Sequence, residues 1–232
     1  GRPKFALLGL ALKRGLKRDA VTEFFQGFQA AAGEYGTALI GGDISSSAKI
    51  SISVTVVGEG KNPILRSGAR PGDLIFVSGH LGDAAAGLRL LKTGCRLGSN
   101  RKADVLLRAF LDPVPRVSLG LALSNRRAAT AMIDISDGLS VDLLHICEES
   151  HVGADVHLAR LPLSPEIRSL LKKPEELALH GGEDYQLLFT VDPKSLRTIT
   201  ALQKKYRVHW IGEIRRGRGI LLVDEDGRKQ PL

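Results

Sequence analysis

The chain has 232 residues, 43% of them hydrophobic, with a net charge of +8 at neutral pH; that is apolar material for one large core or two modest ones and excludes a disordered chain. No apolar stretch approaches the ~20 residues a membrane span needs, and the basic residues fall in small scattered groups with three Tyr and one Trp for stacking, which argues against a nucleic-acid partner. Cys95 and Cys147 make neither a CxxC pair nor a disulfide framework, and the first apolar run lacks a small-residue cleavage site, so the expectation is a soluble cytoplasmic protein.

Along the chain, KFALLGLAL (4–12) reads as a strand. In DAVTEFFQGFQAAAGEYG (19–36), Val21, Phe24, Phe25, Phe28, Ala31, Ala32 and Tyr35 recur at helical spacing, with Asp19 available as N-cap and Gly36 as stop. TALIGGD (37–43) reads as a short strand ending in a glycine turn, and the alternating, β-branched KISISVTVVGEG (49–60) as another strand. Strand, helix, strand, strand is a fragment of an α+β layer too small to close its own sheet. KNPILRSGARPGD (61–73) is a connector, which sets the expected boundary between a partial N-terminal domain, 1–62, and a C-terminal domain, 63–232.

Beyond the connector come a buried strand in DLIFVSG (73–79), a glycine turn and helix in HLGDAAAGLRLLKTG (80–94), a short helix before Asp112 and a further helix after Pro115. TAMIDIS (130–136) is a strand, followed by a helix in DGLSVDLLHICEES (137–150) with Leu139, Leu143, Ile146 and Cys147 inward. GADVHL (153–158), YQLLFTV (185–191), HWIGEI (209–214) and GILLV (219–223) are strand candidates, and PKSLRTITALQKKY (193–206) is a helix.

Four groups can carry chemistry. In TAMIDISDG the strand period puts Asp134 and Ser136 on one face, with Asp137 in the turn into the helix; two acids in an apolar run suit a hard cation such as Mg²⁺, whereas a helix cap would account for only one of them. In LIGGDISSS, Gly41 and Gly42 can bring backbone amides to a phosphate while Asp43 holds its cation, although GGD alone is also an ordinary turn. In LHGGEDY, Glu183 and Asp184 sit before a strand, placed to meet a cationic group or a metal; loop solvation is the competing account. Arg66 and Arg70 in the connector offer guanidinium forks for phosphate. With no P-loop, no protein-kinase motif set and no metal-ligand spacing among the six histidines, the pattern points to phosphate chemistry by metals and positioning.

In order, GGD, LRSGARPGDLIFVSGHLGDAAAGL, MIDISDGL with VDLLHI after it, LPLSP and ALHGGEDYQLLFTV closely resemble the thiamine-monophosphate kinases. These belong to the ATP-binding superfamily of aminoimidazole ribonucleotide synthetase and the hydrogenase-maturation and selenophosphate synthetases. The resemblance implies a two-domain α+β fold of that type: an N-terminal ferredoxin-like sheet, incomplete here, and a C-terminal α/β domain. It implies ATP-dependent phosphorylation of thiamine monophosphate to thiamine diphosphate by direct in-line transfer, with several Mg²⁺ ions. On that model Asp43, Asp134 and Asp137 are metal ligands, Gly42, Asp43, Arg66 and Ser136 touch ATP, and Glu183 and Asp184 hold the thiamine substrate. A homodimer formed by pairing of the N-terminal sheets is also implied.

Departures from the family pattern accompany the resemblance. A preceding segment with further metal-binding aspartates and a trailing aromatic segment are expected to lie outside this chain, Ile44 stands where a threonine is usual, and Gln186 where a glutamate is usual. The alternatives are another ATP-dependent synthetase of the superfamily or a non-catalytic nucleotide-binding relative.

Overall fold

In the computed structural model, which describes all of residues 1–232, the chain divides into two units, Gly1–Lys61 and Asn62–Leu232. In the first, strand β1 (Arg2–Lys13) is followed by helix α1 (Arg18–Glu34) and by β2 (Ala38–Ser47), which pairs parallel with β1. Strand β3 (Ser51–Glu59) pairs antiparallel on the other side, giving the order β2-β1-β3. Alternation along the central strand works as a half-buried strand should: Ala6, Leu8 and Leu10 are buried, while Phe5 and Leu7 stay about half exposed.

Two local expectations are corrected here. Asp19 lies in the first turn of α1, and the N-cap is Lys17, which supplies no side-chain cap. The GGD stretch does not turn; β2 runs through it to Ser47, with a bulge where Ala6 pairs with Leu39 and Leu7 with Gly41. Glycine is required there for approach: a Cβ on Gly42 would lie 1.9 Å from the Leu8 carbonyl oxygen.

The second unit is built on a seven-stranded sheet of order β10-β9-β6-β8-β4-β7-β5. Its strands are β4 (Leu74–Ser78), β5 (Ala131–Ile135), β6 (Gly153–His157), β7 (Gln186–Val191), β8 (Val208–Arg215), β9 (Ile220–Val223) and β10 (Lys229–Pro231). All neighbours are antiparallel except β6 and β9.

Helices cover both faces, because successive residues of each buried strand serve opposite cores. Ile75 and Val77 of β4 join the larger core with Leu106 of α3 (Arg101–Leu111), Leu139, Leu143 and Ile146 of α5 (Leu139–Ser150) and Ile167 of α6 (Pro165–Leu170). Phe76 joins the smaller core on the other face, stacked on Phe189 and packed with Leu119 and Leu123 of α4 (Val117–Asn125) and Ile199 and Leu202 of α8 (Leu196–Gln203). Helices α2 (Asp83–Lys92) and α7 (Pro174–His180) complete the larger core's side.

Helices α6 and α7 and strand β10 go beyond the elements that the sequence pattern predicts. Both helices carry a legible start, with proline in the first turn and, for α6, the Ser164 side chain accepting from the Ile167 N–H. They are six and seven residues long, too short for periodicity to show. Strand β10 pairs with β9 and places Lys229 on the buried carboxylate of Asp155, which Arg215 also reaches.

Candidate active site

Strands β4 and β5 both run antiparallel to β7, and β4 also to β8, so the C-terminal ends of β4 and β5 and the N-terminal ends of β7 and β8 share one rim of the sheet. Asp134, exposed between the buried Ile133 and Ile135, reaches that rim on β5. Ser136 and exposed Asp137 follow in the turn to α5. Neither caps the helix: the N-cap is Gly138, with no side-chain bond.

The capping work falls to Asp142, which sequence reasoning passed over. One oxygen of its buried carboxylate accepts from the backbone N–H groups of Ser136, Asp137 and Gly138 at 3.0, 3.1 and 3.2 Å. Burial pushes its pKa up, against the opposing pull of those three donors. The available signal was an acid in the first turn of a helix following an acidic turn.

The 181–185 loop docks on this turn through backbone alone. Glu183 N–H donates to the Ser136 carbonyl at 2.9 Å and Tyr185 N–H to the Ile135 carbonyl at 2.8 Å. The glycines permit the approach, since a Cβ on Gly182 would lie 2.4 Å from the Ser136 oxygen. Glu183 and Tyr185 are held at φ of 71° and 48°, strained values for residues with side chains.

The Tyr185 hydroxyl donates to Glu183 Oε2 at 3.0 Å. Its pKa is raised by that bond first, then by burial, then by the charges of Glu183, Asp134 and Asp137. Three carboxylates, from the end of β5, the turn after it and the 181–185 loop, therefore project negative potential onto one hydroxyl, and none of the three makes an ion pair. Tyr185 is a second candidate that its place in LHGGEDY does not single out, because its neighbours come from a distant turn.

Asp184 points elsewhere than its neighbour. It is buried, accepting from Gly82 N–H at 2.6 Å and Ala84 N–H at 3.2 Å at the start of α2, and burial pushes its pKa up to about 7. Arg66 is exposed in the connector; Met132 N–H donates to the Leu65 carbonyl, so this segment lies along the outer edge of β5, two residues before Asp134. In the first unit, Gly42 lies within β2 and exposed Asp43 pairs in register with Gly9, on a strand with one edge unpaired in its sheet.

No three His, Cys, Asp or Glu side chains are gathered closely enough to cage an ion. The unneutralised carboxylates of Asp134 and Asp137 nevertheless fit Mg²⁺, which takes one or two protein carboxylates and leaves its other positions to water and phosphate oxygen.

Comparison with known proteins places this architecture in a class. The N-terminal domain model of AIR synthase related proteins matches residues 1–59, and the C-terminal domain model matches 70–224. The structure superposes on E. coli HypE, a hydrogenase maturation protein, with a TM-score of 0.82 at 20% identity, a likeness of fold. Among closer relatives, the thiamine-monophosphate kinase of Aquifex aeolicus is 37% identical over 99% of this chain and 72% of its own length. That of Buchnera aphidicola subsp. Schizaphis graminum is 42% identical over 82% of this chain. The structure of AaThiL complexed with AMPPCP and TMP matches with a TM-score of 0.88 at 37% identity, over 99% of this chain and 72% of that one. The chain belongs to the thiamine-monophosphate kinase family of AIR synthase related proteins. Its matched part spans 59% of the Buchnera relative's length.

Proposed function

We propose that this chain serves ATP- and Mg²⁺-dependent phosphorylation of thiamine monophosphate to thiamine diphosphate, by in-line transfer of the γ-phosphoryl group of ATP onto the substrate phosphate. The observation that carries the reading is the acidic rim, where Asp134, Asp137 and Glu183 stand without a cationic partner around the Tyr185 hydroxyl. The AaThiL structure, complexed with AMPPCP and TMP, supports the same pairing of ligands.

On this reading the first unit is a partial ATP- and Mg²⁺-binding domain and the second the synthetase-like domain. Asp134 and Asp137, and Asp43 in the first unit, would hold Mg²⁺, which supplies charge neutralisation between phosphates that otherwise repel. Gly42 and Asp43 on β2 meet the nucleotide, Ser136 presents its hydroxyl, and the Arg66 guanidinium takes phosphate oxygens in a fork. Glu183 offers its carboxylate to the cationic thiamine ring system. Asp184, held by the Gly82 and Ala84 amides, anchors the loop that presents Glu183.

In-line transfer needs no covalent intermediate, so on this reading the rim residues act by binding, orientation and charge. The exposed apolar residues Phe5, Leu7, Val54, Val56 and Val57 of the three-stranded sheet support assembly as a homodimer. The test is to incubate the full gene product with ATP, Mg²⁺ and thiamine monophosphate and assay thiamine diphosphate. Absence of product, with ATP still bound, would make the chain a non-catalytic nucleotide binder.

A further inference from the structure

A cavity of about 530 Å³ in the second unit lies on the same rim but is not lined by Asp134, Ser136, Asp137 or Glu183. Three separate segments deliver cations to it: Arg108 from the end of α3, Arg116 from the turn before α4, and Lys205 and Arg207 from the turn between α8 and β8. Arg116 is oriented by a bond from its Nε to Gln186 Oε1 at 2.8 Å, and Gln186 is fixed in turn by the Ser78 hydroxyl at 2.7 Å. Arg108 and Arg207 are exposed and make no ion pair.

The cavity's three carboxylates, Asp83, Asp112 and Asp184, offset this charge only in part, since four cations face them. Asp184 is engaged by the Gly82 and Ala84 amides, Asp83 accepts from the Ser164 hydroxyl at 2.7 Å, and burial pushes their pKa values up to about 7 and about 6. Only Asp112 remains exposed on the lining. His80, also on the lining, has its pKa lowered by burial and then by Arg207, with Arg116 adding to the effect and Glu166 opposing it, so the guanidinium fields meet inside the cavity.

We propose that this cavity is a second site, distinct from the one formed by Asp134, Asp137 and Glu183, which binds a phosphate-bearing small molecule through Arg108, Arg116 and Arg207. Its volume is that of a small-ligand pocket, and arginine forks from different segments suit several phosphate oxygens at once. An anion there touches Gln186, the first residue of β7, directly after the loop that carries Glu183 and Tyr185. Occupancy therefore reports to the rim through one continuous strand end.

Calorimetric titration of the full gene product with inorganic pyrophosphate, in EDTA to remove divalent cations, tests the site. Saturable binding is expected, and Arg108→Ser with Arg207→Ser should weaken it about tenfold or more, the loss of charge-assisted hydrogen bonds. Both residues are exposed, so the substitutions leave the cores untouched. Arg66→Ala, a change at the proposed nucleotide contact, should leave the pyrophosphate affinity unchanged. The proposal is overturned if the wild-type protein shows no saturable binding, if the double variant binds as the wild type does, or if Arg66→Ala abolishes the signal.

Discussion

A carboxylate buried among backbone donors and one left facing solvent do different work, and this chain has both kinds within a few residues. Asp134 has no structural bond to lose, so Asp134→Asn should abolish thiamine diphosphate formation while circular dichroism and the thermal midpoint stay near wild type; an unchanged rate would remove it from the mechanism. Asp142 is the opposite case. Asp142→Ala strands three N–H groups in the turn that presents Ser136 and Asp137 and should cost about 3 kcal/mol of stability, readable by denaturant unfolding, with activity falling as well.

Burial raises Asp184 to about 7 and Asp83 to about 6, above the 3.8 of a free aspartate. The folded chain thus keeps protons that the unfolded chain releases, and stability falls as pH rises from 3.8 through about 7. Relative to wild type, Asp184→Asn should gain in thermal midpoint as pH rises from about 5.5 to about 8, because it lacks the carboxyl whose proton is lost over that window.

At the level of elements, the rim depends on two loops touching backbone to backbone, a contact that tolerates no side chain. Gly182→Ala would push its Cβ into the Ser136 carbonyl and part the loop carrying Glu183 from the turn carrying Asp137. The expected result is a fall in turnover much larger than the fall in thermal midpoint, since Gly182 belongs to neither core; equal losses would show that the loop contact is only structural. Strand β2 teaches a related lesson. Gly41 and Gly42 read as a turn because glycine pairs commonly are, yet a glycine is equally the residue a strand uses where its neighbour's carbonyl comes too close. Turn and close approach look alike in one dimension, and only the pairing partner, Leu8, separates them.

For the whole molecule, the three-stranded sheet leaves Phe5, Leu7 and Val57 about half exposed on one face, with Phe5 and Val57 directly paired. Apolar sheet surface of this kind drives association. Light scattering should show a dimer, and Leu7→Lys with Val57→Lys should shift it to monomer without unfolding the second unit; a wild-type monomer would end the pairing proposal.

The sequence by itself determined most elements and the acidic motifs, because strand alternation, helical spacing and the glycine-acid turns are local properties that survive without a fold. From MIDISDG alone one could read that Asp134 and Asp137 end a strand and begin a turn. Tertiary structure decided what those residues meet. That Asp142 rather than Asp137 holds the turn, that Glu183 and Asp184 part company, and that Arg108, Arg116 and Arg207 surround one cavity all depend on contacts between segments far apart in the chain. Such contacts are set by how buried faces pack, and no local pattern encodes which distant backbone amide will reach a given carboxylate.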